Sequence, residues 1–159
     1  MPKTISIPSR CTLCPRRCGA DRAAGRTGFC GAGATLKAAR AALHHWEEPC
    51  ISGTRGSGTV FFSGCTLKCC FCQNYPISAE GLGKEITVEH LAEIFLNLQA
   101  QGAHNINLVT PGQWQPWIIA ALDIGPHQRA ASAHRVQHRR LRDRGKRRGL
   151  ARVHRHLAG

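Results

Sequence analysis

Thr59-Val60-Phe61-Phe62-Ser63-Gly64-Cys65-Thr66-Leu67-Lys68-Cys69-Cys70-Phe71-Cys72-Gln73-Asn74 is the stretch on which both fold and chemistry turn. Its first four residues are β-branched or aromatic and uncharged, the pattern of a short buried strand. Cys65 to Asn74 follows as a loop. Cys65, Cys69 and Cys72 have the spacing C-x3-C-x2-C, so three thiols fall in one tight loop and can converge on one metal centre. A cubane iron–sulfur cluster normally takes four cysteines. Three close ligands leave one iron with an open position, which a catalytic site needs and a structural site avoids. A zinc loop usually carries a second C-x2–4-C pair farther on. The spacing therefore favours iron–sulfur over zinc, and over cysteines used as small apolar residues. Cys70 lies off the ligand spacing and reads as a small side chain.

Working outward, Thr87 to Gln101 has the clearest helical period. Val88, Leu91, Phe95 and Leu98 recur at three- and four-residue steps, and Ile94 widens the stripe. Thr87 can cap the start, Glu89 sits in the first turn, and Gly102 can end the helix. Asn105 to Val109 reads as a second strand closed by Thr110-Pro111-Gly112. Pro116 in a first turn, followed by Trp117 to Leu122, reads as another helix. The order strand, cysteine loop, helix, strand, helix implies an α/β class with parallel strands joined by a helical crossover. Ligands in such folds sit at the carboxyl ends of the strands, which is where the cysteine loop falls. Upstream, Ser52 to Gly58 reads as a flexible turn, and Ala34 to Trp46 fits a short helix or a strand equally.

A second set, Cys11, Cys14, Cys18 and Cys30, has the spacing C-x2-C-x3-C-x11-C in a loop-like segment over residues 1–33. Four cysteines can saturate one metal, either tetrahedral zinc or a [4Fe–4S] cluster. A closed site of that kind reads as structural or as an electron relay. Pro15, Arg16 and Arg17 lie inside it, and positive charge there favours thiolates. Cys50, alone after Pro49, reads as a buried small residue, with a role near the cluster as the sharper alternative. His44, His45 and His104 lack ligand spacing. Gly53 to Thr59 is glycine-rich but has no Gly-Lys-Ser/Thr ending, so it is not a nucleotide P-loop.

C-x3-C-x-aromatic-C after a short strand resembles the signature of the radical S-adenosylmethionine enzymes. Phe62 to Cys65, together with Cys72-Gln73-Asn74-Tyr75-Pro76-Ile77-Ser78, is similar to the branch related to the pyruvate formate-lyase activating enzyme. The similarity runs from Cys11 to about Asp123 and takes in Trp46-Glu47-Glu48-Pro49-Cys50-Ile51-Ser52-Gly53 and Asn105-Ile106-Asn107-Leu108-Val109-Thr110-Pro111. The resemblance implies the N-terminal part of a partial (β/α) barrel preceded by a cysteine-rich loop segment. It implies that Cys65, Cys69 and Cys72 hold a [4Fe–4S] cluster whose free iron binds S-adenosylmethionine, cleaved reductively to a 5′-deoxyadenosyl radical that abstracts hydrogen. It places Phe71 near the adenine. Some relatives hold the cofactor amine with Gly-Gly-Glu after the second strand; this chain has Thr110-Pro111-Gly112-Gln113, leaving Thr110 as the candidate contact. An electron donor such as flavodoxin or ferredoxin, and a protein substrate, come with the same resemblance.

The chain has 159 residues and nine cysteines, with 22 Lys and Arg against 9 Asp and Glu. The charge is unevenly placed: residues 1–125 carry 11 basic and 8 acidic residues, and residues 126–159 carry 11 basic residues and one acid. Three segments follow: a cysteine-rich metal-binding segment over 1–50, an incomplete core over 51–125, and a basic tail over 126–159. No apolar run reaches the ~20 residues that a bilayer requires, and no apolar signal core opens the chain. Clustered cysteines then favour a reducing, cytoplasmic setting. The tail resembles a nucleic-acid-binding arm, and a non-catalytic zinc or iron–sulfur module with such an arm is the alternative function. Nucleic acid is nevertheless not expected. With one choice of codons, His134 to Gly145 read one nucleotide later encodes Ile-Val-Tyr-Asn-Thr-Gly-Gly-Tyr-Glu-Thr-Val, a strand and a turn. A frame change near residues 124–132 is therefore expected. It would leave the tail disordered, the edge of Asn105 to Val109 uncovered and the cofactor pocket impaired.

Overall fold

The computed structural model describes residues 5–124 and 133–137. Residues 5–36 form loops and turns without helix or strand. Then come β1 (Lys37–His44), the single turn α1 (Pro49–Ser52), β2 (Ser57–Phe62), the single turn α2 (Tyr75–Ser78) and β3 (Lys84–Glu85). Helix α3 (Val88–Ala100), β4 (Asn105–Val109), a 3₁₀ turn (Gly112–Trp114), α4 (Gln115–Ile124) and β5 (Ala133–Gln137) complete the order. The strands form one open sheet in the order β3-β1-β2-β4-β5. β1 is antiparallel to β2, whereas β2, β4 and β5 run parallel. The strand–helix–strand reading of the centre holds. No barrel closes among the described residues.

The ambiguous Ala34 to Trp46 segment is a strand over Lys37–His44 because β2 offers it a ladder from Ala38 opposite Phe62 to His44 opposite Ser57, broken only by an irregularity between Ala38 and Arg40. Tertiary pairing decides where alanine-rich propensity does not. β2 also begins two residues earlier than its apolar run. Gly58 is tolerated there because a side chain would crowd Ile106 and Ala103, a close-approach use of glycine. Thr87 caps α3 as expected, its hydroxyl accepting the His90 N–H at 3.1 Å. Gly102, at φ +81°, takes the left-handed turn that ends the helix.

Alternation along the parallel strands gives the sheet two unlike faces. Val60, Phe62, Ile106 and Leu108 pack with Leu91, Phe95 and Leu98 of α3 and with Trp117, Ile118 and Ala121 of α4. The alternate residues Ser57, Thr59, Asn105 and Asn107 are buried yet polar. Ser57 donates to the Asn105 side-chain carbonyl at 2.6 Å.

β5 corrects one expectation. Ala133 to Gln137 lies beside Asn105 to Val109 in parallel register, so the edge of β4 is paired and these five residues are not a loose tail. An unpaired edge offers a row of N–H and C=O groups that backbone alone can satisfy, whatever the side chains. The remaining parts of the tail, with the expected frame change and disorder, lie outside the described residues. No helix among the described residues is long and apolar enough to cross a membrane.

Candidate metal centre

Cys65 stands three residues beyond β2, at the carboxyl end of a buried parallel strand. The intervening turn is tied down from several sides. Ser63 N–H donates to the Lys37 carbonyl at 3.0 Å, and Gly64 N–H to the Ile77 carbonyl at 2.9 Å. The Ser63 hydroxyl donates to the Leu82 carbonyl at 2.6 Å. From beyond β4, the Trp114 indole donates to the Ser63 carbonyl at 3.0 Å and the Gln113 amide to the Gly64 carbonyl at 2.8 Å. Gly64 has φ +79°, and a Cβ there would collide with the Cys30 carbonyl oxygen. Only glycine fits both demands.

Beyond Cys65 the chain curls back on itself. Lys68 is held at φ +48°, a left-handed conformation that a lysine adopts only when its surroundings impose it. The Leu67 N–H points to the Cys65 sulfur at 3.4 Å. The Cys72 N–H donates to the Cys69 carbonyl at 3.2 Å, and the Ser78 hydroxyl donates to the Cys72 sulfur at 3.3 Å. Cys65 is buried, Cys69 and Cys72 are half-buried, and Cys70 is exposed. Hydrogen bonds to sulfur are among the features that tune an iron–sulfur centre, so two of the three expected ligands already carry that support. None of the nine cysteines is in a disulfide.

Phe71 is 76% exposed, so core packing is not its role. Thr110 stands next to the cysteine turn at φ +53°, unusual for a β-branched residue. Its hydroxyl reaches the Gly64 carbonyl at 3.3 Å and the Phe62 carbonyl at 3.4 Å. Those contacts engage its proton and leave its lone pairs able to accept from an amine. Cys50 departs from both readings made of it. It is exposed, and it lies on α1, whose Ile51 carbonyl accepts from Asn105 at the amino end of β4. That is the opposite end of the parallel strands from Cys65.

In the amino-terminal set, Cys11, Cys14 and Cys30 are buried and Cys18 is exposed. Cys11 N–H donates to the Ala20 carbonyl at 2.9 Å, Gly19 N–H returns to the Cys11 carbonyl at 3.0 Å, and Arg17 N–H closes a turn on the Cys14 carbonyl at 3.1 Å. Burial pushes the Cys30 thiol above its ordinary range; the Ala32 backbone N–H opposes this, the Cys14 and Cys11 thiols add to it, and the Arg22 guanidinium opposes it. The Cys18 sulfur lies against Gly28, where a side chain would collide with it. Among the described residues, no three His, Cys, Asp or Glu side chains stand together as a metal site. Ligation in either loop therefore has to draw the thiols together.

The two cysteine segments touch. Besides the Cys30–Gly64 backbone contact, Arg16 donates to the Thr66 carbonyl. Its guanidinium stacks on Phe29 at 3.6 Å, and the Lys68 ammonium lies 5.4 Å from the same ring. Of the residues that build this contact, Cys30 and Arg16 carry a sequence signal, whereas Phe29, together with Ser63, Trp114 and Arg22, carries none of its own. Gln113 and Trp114 follow directly on the strand-closing Thr110-Pro111-Gly112, which was the available signal.

Residues 52–111 match a family model described as a 4Fe-4S single cluster domain. The match supports a [4Fe–4S] cluster in this chain. It spans Cys65, Cys69 and Cys72 and excludes the amino-terminal cysteines. The chain is 37% identical over 81 residues to an uncharacterized protein of Methanocaldococcus jannaschii, a stretch covering 51% of this chain and 22% of that relative. The chain thus spans about a fifth of the length of the curated relative it matches. No solved structure matches.

Proposed function

We propose that this chain is a radical S-adenosylmethionine protein of the branch related to the pyruvate formate-lyase activating enzyme, with Cys65, Cys69 and Cys72 as the three ligands of an open-sited [4Fe–4S] cluster. One observation carries the reading: three free thiols at C-x3-C-x2-C spacing on a curled loop at the carboxyl end of a buried parallel strand, inside the span matched by a single-cluster family. When bound, the cluster supplies the electron that cleaves S-adenosylmethionine to methionine and a 5′-deoxyadenosyl radical, which takes a hydrogen atom from substrate. The protein's own part is positional. Ser63 and Gly64 hold Cys65 at the strand end, and Leu67 and Ser78 orient two sulfurs through hydrogen bonds. The exposed Phe71 ring offers a face for the adenine, and the Thr110 oxygen offers an acceptor for the cofactor amine. A flavodoxin or ferredoxin would deliver the electron, and a protein would be the substrate class.

The test is anaerobic reconstitution with iron and sulfide, followed by reduction and quantification of 5′-deoxyadenosine. Turnover that vanishes when Cys65, Cys69 and Cys72 become Ala supports the reading. A cluster that forms but never yields 5′-deoxyadenosine favours a non-catalytic iron–sulfur module. A parallel chain with the alternative frame restored beyond residue 124 is expected to turn over faster. Equal rates in both chains would overturn the frame-change proposal.

A further inference from the structure

Arg22 is 1% exposed and carries a charge that it cannot shed. Its Nε donates to the Gly33 carbonyl at 2.7 Å and its Nη1 to the Gln113 carbonyl at 2.8 Å. The guanidinium lies 4.8 Å from the Trp114 ring and 4.7 Å from the Trp117 ring, and the two indoles meet edge to face. Its Nη2 has no hydrogen-bond partner among the described residues. No carboxylate among those residues pairs with it. Two carbonyls and two aromatic faces partly solvate a cation but do not cancel its charge. A buried charge left in that state is strongly unfavourable.

Thiols lie on the segments that Arg22 holds together. The Arg22 backbone N–H donates to the Pro8 carbonyl at 3.0 Å while the Cys11 N–H donates to the Ala20 carbonyl at 2.9 Å, and its Nε reaches the Gly33 carbonyl just beyond Cys30, so Arg22 ties together the segments on which Cys11, Cys14 and Cys30 are buried. Neutral thiols leave the guanidinium unbalanced. Thiolates gathered on a thiophilic metal carry net negative charge and balance it. We infer that Arg22 is the built-in counter-cation of a metal–thiolate centre formed by Cys11, Cys14 and Cys30, with Cys18 completing it from the exposed side. The metal class is a soft, thiophilic one, zinc or an iron–sulfur cluster. Gly28 keeps the space beside the Cys18 sulfur clear. This centre is independent of whatever Cys65, Cys69 and Cys72 bind.

The test uses the full chain with Cys65, Cys69 and Cys72 changed to Ala, so the result cannot be confused with failure of the central site. Cobalt(II) is titrated anaerobically, and the thiolate-to-cobalt absorption reports binding. The parent is expected to bind one cobalt per chain, and Cys11→Ser, Cys14→Ser and Cys30→Ser to lose the band. Arg22→Gln is expected to weaken binding by about ten- to a hundredfold, as loss of a second-sphere partner does. Arg22→Lys, which keeps the charge, is expected to recover most of that loss. Equal affinity in Arg22→Gln and the parent overturns the inference. So does an Arg22→Lys chain as weak as Arg22→Gln, which would mean packing without charge. Zinc(II) titration of the unsubstituted Arg22 chain, followed through the Arg22 Nε–H resonance by NMR, needs no change at Arg22. The resonance is expected to shift on binding, and an unmoved resonance also overturns the assignment.

Discussion

The two cysteine segments use one residue type and are held in place by different means. The loop from Cys65 to Asn74 hangs from the carboxyl end of β2, and its first cysteine inherits its position from a sheet. The segment around Cys11, Cys14, Cys18 and Cys30 has no helix or strand within it. Turn hydrogen bonds and one buried arginine hold it, and it leans on the other loop through Cys30 and Gly64. The lesson is that ligand spacing tells which thiols can share a metal, whereas anchoring tells how freely they can move. A loop fixed at one strand end can leave a metal position open. A segment wrapped around a buried cation has that charge and three of its four thiols on the inside.

The largest expected effect breaks the comparison outright. Changing Cys65, Cys69 and Cys72 together to Ala should remove about four irons per reconstituted chain, while metal held by the amino-terminal set persists. Iron and zinc analysis by mass spectrometry is the measurement. If the triple variant keeps its full iron content, the central assignment fails.

Joining the two regions is the task of Gly64, and its substitution should show how much each depends on the other. Gly64→Ala imposes a left-handed alanine and a clash with the Cys30 carbonyl. A loss of about 3 kcal/mol is expected from strain and displaced backbone together, read as a lowered denaturant midpoint. Both metal sites should weaken. Retention of both at full occupancy would show that the contact is incidental.

The smallest effect leaves the fold intact and separates members of one set. Because burial raises the Cys30 thiol, less of it is thiolate at a given pH. Metal-free protein should therefore be alkylated more slowly at Cys30 than at exposed Cys18. The sign for stability follows: the metal-free fold holds the Cys30 proton more tightly than the unfolded chain, so this contribution is present below the ordinary thiol range and fades as pH rises through and above it. Site-resolved mass spectrometry across a pH series reads the rates. Equal rates at Cys18 and Cys30 would contradict the burial-based account.

Sequence reading served best where a period or a spacing is local. Val88, Leu91, Phe95 and Leu98 announce α3 through their own repeat, and the spacing of Cys65, Cys69 and Cys72 falls inside the span that matches a 4Fe-4S single cluster domain. It served poorly where the cause lies across the fold. Ala34 to Trp46 is a strand only because β2 lies alongside. Cys50 follows Pro49 on α1, and topology sends it to the far end of the sheet from Cys65. Arg22 looks like any loop arginine until Trp114 and Trp117 close over it, more than ninety residues later. The tie between Thr110 and Gly64 joins two strand ends that only parallel pairing brings together.

The meeting of Cys30 with Gly64 bears on how this protein can be cut and recombined. Residues before position 50 contribute β1 to the sheet and lay a backbone carbonyl on the turn that presents Cys65. Trimming the chain at that point would not free a self-contained module. It would strip β1 from the long flank of β2 and leave the glycine that accommodates Cys30 facing solvent. The cysteine-rich segment and the sheet are thus one mechanical unit, and a graft of the Cys65 loop into another scaffold would have to carry both.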